Sequence, residues 1–131
     1  MADPIRPNVL VVTADAEVAG VVAEALAGKD IRGVFVGNMP AAATKFDQSN
    51  WDMLVVDLSA DGDAAPVLEK VRRELPELPV VLFTDEISAD KIKPSLRTGC
   101  TELLRRPVDR KSLESLLEMF LPAHVVPMAA S

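Results

Sequence analysis

A chain of 131 residues, 49% of them apolar, is sized for one domain around one core. Its net charge of −6 argues against general nucleic-acid binding, and a single tryptophan with no tyrosine argues against an aromatic platform for single strands. No apolar run is long enough to span a bilayer, and the start M-A-D-P-I-R-P lacks the apolar core of a signal peptide. One cysteine, Cys100, excludes an internal disulfide, so a reducing cytoplasm is the expected setting.

Residues 1–7 hold two prolines and read as a flexible N-terminus. The domain is predicted over 8–121. Val9-Leu10-Val11-Val12 reads as a first buried strand ending at Thr13-Ala14-Asp15. A helix follows from Ala16 to Leu26, with Val18, Val22, Ala25 and Leu26 on one face, Asp15 as its N-cap and Gly28 at its end. Ile31–Val36 is a weaker strand, interrupted by Arg32 and Gly33, and a second helix begins after Asn38. The run Met53-Leu54-Val55-Val56 then stops on a carboxylate, Asp57.

Val67, Leu68, Val71 and Leu75 mark the inner face of a third helix, whose outer face carries Glu69, Lys70, Arg72, Arg73 and Glu74. Val80–Phe83 is a fourth buried strand ending on Thr84-Asp85. The stretch 88–97 predicts a fourth helix that Pro94 must shorten or kink. Thr101–Leu104 is a short fifth strand closed by Arg105-Arg106-Pro107. Asp109 caps a last helix with Leu113, Leu116, Leu117 and Phe120 at helical spacing. Residues 122–131 read as a flexible tail or a linker.

Strands and helices that alternate in this way specify a five-stranded parallel sheet with five helices on both faces and right-handed crossovers. The flavodoxin-like order 2-1-3-4-5 is the predicted solution. Its switch point opens a crevice at the carboxyl ends of strands 1 and 3, where such sheets place ligands. Thr13-Ala14-Asp15, Asp57, Thr84 and Arg106-Pro107 border that crevice.

At these positions the chain resembles the receiver domains of two-component response regulators, over residues 8 to about 121. The resemblance rests on an aspartate ending strand 3, a threonine ending strand 4, and a basic residue before the proline after strand 5. Gly99 and Arg106 follow Thr84 by fifteen and twenty-two residues, the spacing of that family. The resemblance implies that Asp57 is a candidate phospho-acceptor, with Thr84 and Arg106 supporting the phosphoryl group. It also marks three departures. Thr13 and Ala14 replace an acidic pair that binds Mg²⁺, Arg106 replaces a lysine, and Leu103 replaces an aromatic residue that responds to phosphorylation.

The physical consequence follows from the residues themselves. Mg²⁺ is held by carboxylates and phosphate oxygens, and phosphoryl transfer relies on it to neutralise charge. With Asp15 turned away at the helix cap, a lone exposed Asp57 is expected to hold Mg²⁺ only weakly. Arg106 either pairs with Asp57, filling the space of metal and phosphate, or points to solvent.

Other candidates have plainer readings beside the functional ones. Asp61 and Asp63 extend D-x-x-x-D-x-D, which fits a metal cluster but fits a solvated loop and a helix cap better. Thr84 is either a functional hydroxyl or a turn group. Cys100 reads as a small core residue rather than a reactive thiol. The sole histidine, His124, lies in the tail, and T-A-D-A-E-V-A-G is a poor phosphate loop. Residues 91–111 hold seven basic groups, Lys91, Lys93, Arg97, Arg105, Arg106, Arg110 and Lys111, against Glu102 and Asp109. That is a net +5, leaving −11 elsewhere. This is an ordinary solvated surface or a docking face for an acidic partner.

The expected function is an atypical receiver: a signalling protein-interaction module, not an enzyme. It would act without Mg²⁺-dependent phosphorylation, with neither metal nor cofactor, and without membrane or direct nucleic-acid binding. Its partner would be a histidine kinase or an effector domain, and a homodimer through helix 4, strand 5 and helix 5 is open to it. The alternative is a working phospho-acceptor that uses Mg²⁺ and a histidine kinase. A more distant one is a small-ligand binder in the same crevice.

Overall fold

A computed structural model describes residues 6–85, 96 and 99–121. Five strands form one parallel sheet, β1 (Asn8–Val12), β2 (Arg32–Val36), β3 (Met53–Asp57), β4 (Val80–Thr84) and β5 (Glu102–Arg105). Their order is β2-β1-β3-β4-β5, the order the sequence predicts. Among the described residues there are four helices, α1 (Ala16–Gly28), α2 (Met39–Phe46), α3 (Ala64–Glu74) and α4 (Arg110–Phe120). The helix predicted over 88–97 lies outside the described residues except at Leu96, which is helical and buried. The tail 122–131 and residues 1–5 also lie outside them.

The central strands are buried on both faces, so their side chains divide strictly by alternation. Leu10, Val12, Leu54, Val56, Val80 and Leu82 enter one core with Met39, Phe46, Val67 and Leu68 from α2 and α3. Val9, Val11, Met53, Val55, Val81 and Phe83 enter the other, with residues of α1 and α4. Burying these β-branched and aliphatic side chains, at about 1.5–3 kcal/mol each, is the main force holding the sheet. β2 is an edge strand and is only half-buried, as its Arg32 and Gly33 foretell.

Each of these four helices starts on a side chain that accepts a backbone N–H. Asp15 accepts from Glu17 and Val18, Asn38 from Ala41, Asp63 from Ala65, and Asp109 from Ser112. Each satisfies donors that the first helical turn leaves unpaired. The loop after β3 is pinned to the start of α2, where Met39 N–H donates to the Asp61 carbonyl at 2.8 Å. Gly62 sits there at φ +105°, and a Cβ at that position would lie 2.8 Å from the Met39 Cβ.

Two sequence expectations change on the outer face of α3. Arg72 is half-buried rather than solvated. Its guanidinium donates to the carbonyls of Gly99, Pro76 and Leu78 at 3.0, 3.0 and 2.7 Å, and approaches the Thr101 hydroxyl at 3.4 Å. That hydroxyl in turn accepts from Val80 N–H at 2.9 Å. Leu75 falls at the C-cap and is exposed rather than part of the inner face.

Candidate functional site

Register brings the crevice residues together. Val12 pairs with Val56, so Thr13 and Asp57 are the next neighbours beyond the β1–β3 pairing. Asp57 pairs with Phe83, and Phe83 with Leu104. Two residues on, alternation returns Asp85 and Arg106 to the same face as Asp57, the face of α1 and α4. The Arg106 backbone is fixed by its N–H, which donates to the Thr84 carbonyl at 2.8 Å, and the Arg106–Pro107 peptide is cis.

Asp57 is 0% exposed, which overturns the expectation of an exposed carboxylate. Its Oδ2 accepts the Thr13 hydroxyl at 2.7 Å. Its Oδ1 accepts both the Ser59 N–H at 3.0 Å and the Ser59 hydroxyl at 2.8 Å. The Thr13 oxygen accepts the Asp15 N–H at 3.1 Å, so its proton is the one directed at Asp57. All of these partners donate, the arrangement that suits an ionised, acceptor-only carboxylate.

Arg106 supplies the fourth donor. Its Nη1 lies 3.3 Å from Asp57 Oδ1, its Nη2 2.5 Å from Asp15 Oδ2, and its Nε 3.6 Å from Asp85 Oδ1. The guanidinium is therefore a bridge among three carboxylates from three strand ends, not a two-toothed fork on one of them. The contact with Asp15 corrects the sequence reading. Asp15 does not turn away: one oxygen caps α1 and the other holds Arg106.

The remaining candidates are placed as follows. Thr84 is buried at the end of β4. Ala14 is exposed beside the crevice, and Leu103 packs against the α2–α3 core. Asp61 and Asp63 are exposed, the first engaged through its carbonyl and the second as a cap. Among the described residues no group of three His, Cys, Asp or Glu is placed to hold a metal ion. The basic face divides: Lys91, Lys93 and Arg97 lie outside the described residues, while Arg105, Arg110 and Lys111 are exposed. Arg110 pairs with Glu114 at 2.8 Å and Glu24 at 3.4 Å, and Glu114 beside it raises its pKa above the ordinary arginine value. Cys100 is half-buried against the core.

Sequence reasoning missed Ser59. The signal was available, because an aspartate side chain bonds the backbone two residues on in a common turn, and Asp57-Leu58-Ser59 offers a hydroxyl at that position.

No protein-family model and no curated protein sequence matches the chain. Solved structures do. The chemotaxis response regulator CheY4 of Vibrio cholerae is 19% identical at a TM-score of 0.79, over 88% of this chain and 99% of that one. The chain has the receiver-domain fold. A two-component response regulator from Clostridium difficile gives 20% identity and a TM-score of 0.79, over 88% and 96% of the two chains. An orphan response regulator of H. pylori gives 16% and 0.76, over 88% and 97%. On the receiver fold, Asp57 occupies the end of the central strand, and Arg106 covers it from the β5 side. No helix of the described residues is long and apolar enough to cross a membrane.

Proposed function

We propose that the protein is an atypical receiver: a non-enzymatic protein-interaction module of a signalling pathway that does not depend on Mg²⁺-assisted phosphorylation of Asp57. The observation that carries this reading is the full burial of Asp57 with both oxygens engaged and a guanidinium across it. An in-line phosphoryl transfer needs an exposed carboxylate oxygen and a metal beside it. Here the oxygens face Thr13, Ser59 and Arg106, and the charge a metal would neutralise already faces an arginine. Thr13 and Ala14 offer no carboxylate to complete an octahedral shell.

The partner is a kinase or effector domain of the signalling system, met at the surface rather than through chemistry in the crevice. The test adds Mg²⁺ with beryllofluoride, or a small phosphodonor, and records amide NMR shifts and intact mass. Unchanged shifts at Asp57, Ser59 and Thr13 and an unchanged mass are expected. A phosphoryl mass increment that disappears in Asp57→Ala would overturn the reading in favour of a working phospho-acceptor.

A further inference from the structure

β2 is an open side of the sheet. It pairs with β1, and among the described residues no strand lies on its other edge. The hydrogen bonds at its two ends fix which residues face that edge. Arg32 N–H donates to the Pro7 carbonyl, and the Val36 carbonyl accepts from Thr13 N–H, both at 2.9 Å. A parallel ladder engages alternate residues, so Arg32, Val34 and Val36 turn their backbone groups to β1, while Gly33 and Phe35 turn theirs outward. Each of these two offers one N–H and one C=O, and no described group bonds them. Such an edge templates a further strand unless proline, a bulge or charge guards it. From Gly33 to Val36 this edge has none of the three. Its side chains are also patterned. Phe35 is 39% exposed, and its ring lies back over Gly33, where a Cβ would sit 3.0 Å from Phe35 Cε1 and 2.6 Å from Leu26 Cδ1. Val34 faces the other side, half-buried against the α2–α3 core.

We infer that a second copy of this chain pairs antiparallel along the outer edge of β2, joining two five-stranded sheets into one. Two observations select that occupant. The first is register. A two-fold axis through Val34 sets Gly33 of one protomer opposite Phe35 of its partner, and does so twice. Both pairs are then of the hydrogen-bonded kind, so the two outward N–H and two outward C=O groups of each protomer are all satisfied. Each phenyl ring lies over a glycine, the neighbour that leaves it room. A foreign strand would have to match this pattern, whereas β2 carries both halves of it. The second observation is charge. Parallel alignment would set Arg32 beside its own copy, a destabilising like-charge pair. Antiparallel alignment carries the two arginines to opposite ends of the junction, about 14 Å apart along the strand. The edge is remote from β5 and α4 in the strand order, and the pairing makes no use of Asp57, so it stands whether or not that carboxylate is ever modified.

The test uses the full chain, in sedimentation velocity from micromolar to millimolar protein and in amide hydrogen exchange at both ends of that range. A dimer is expected as concentration rises. The Gly33 and Phe35 amides are expected to exchange fast in dilute protein and slowly in concentrated protein, while Val34 and Val36 stay slow in both. Phe35→Lys places a charge on the edge at an exposed position, and is expected to weaken the dimer about tenfold, because a symmetric interface loses the pair twice. Unchanged amide shifts at Leu54 and Phe83 check that the variant keeps its fold, and the exchange pattern of the parent needs no variant. A monomer at millimolar concentration, a dimer whose Gly33 and Phe35 amides still exchange fast, slow exchange of both at every dilution, or an undiminished dimer in Phe35→Lys would each overturn the inference.

Discussion

Arg72 and Arg106 sit at opposite ends of the β4–β5 pair, both half-buried, both joining segments distant in sequence. Arg72 meets neutral partners, three carbonyls and a hydroxyl, in the turns that lead into the two strands. Arg106 meets carboxylates where the strands end. The first is a staple: its partners attract no ligand, and its loss costs only folding energy. The second is a charge balance, since its removal leaves anionic groups that must find another cation or be hydrated. The same residue type therefore supports the scaffold at one end of the sheet and balances carboxylate charge at the other.

The comparison is broken most directly at Arg106. Arg106→Ala leaves Asp57 buried beside Asp15 without its counter-charge, and removing one partner of such a pair costs about 3 kcal/mol. Chemical denaturation should show that loss, and millimolar Mg²⁺ should recover part of it in the variant while leaving the parent unchanged. A variant as stable as the parent, or a parent that Mg²⁺ stabilises, would contradict the charge-balance role. Arg72→Met is expected to cost slightly less, about 2–3 kcal/mol, because a charged donor to several carbonyls is lost while the aliphatic stem is kept. That cost should be independent of Mg²⁺, and the amide shifts of Thr13, Asp57 and Ser59 should not move.

Gly62→Ala probes whether the loop that carries Ser59 is held as firmly as the strand ends. A left-handed φ and a Cβ 2.8 Å from Met39 predict a loss of about 1–2 kcal/mol. Thermal melting measures it, and a neutral outcome would show that the loop adapts. The smallest effect belongs to the surface cluster of a half-buried Lys70 with the exposed Asp47 and Glu74, at 2.9 and 3.2 Å. Hydrogen bonding to Asp47, then to Glu74, raises the lysine pKa above its ordinary 10.5. A raised cation pKa stabilises the fold below the unfolded value and loses that contribution as pH climbs through the folded one. The stability curves of the parent and Lys70→Met should therefore converge in strong alkali. Curves that stay parallel there would remove the pair from the account.

Most of the fold was legible because buried parallel strands write themselves as unbroken apolar runs. Val9–Val12, Met53–Val56 and Val80–Phe83 each sit within a unit of their observed bounds, and Asp15, Asp63 and Asp109 announce the helix starts. The crevice was legible as a set of positions but not as a network. Alternation continues past the last paired residue and turns Asp85 and Arg106 to the side of Asp57, a fact of register that a linear reading does not supply. Asp15 was misjudged because a capping carboxylate has two oxygens and the cap uses one. Arg72 was misjudged for a related reason. Helical periodicity locates its Cα on the polar face, while its long side chain folds back to the turns.

The Thr13 hydroxyl has a consequence for how such a domain can change over generations. It gives its proton to Asp57 and receives one from the Asp15 amide, so the exchange has a fixed direction. Thr13→Asp would set two acceptors face to face where one donor stood, with Arg106 still in place of an inorganic cation. Arg106→Lys alone would leave Asp15 and Asp85 competing for a single compact charge. Each of these two changes is disfavoured until the other has been made, so the pairing around Asp57 constrains the order in which neighbouring positions could mutate.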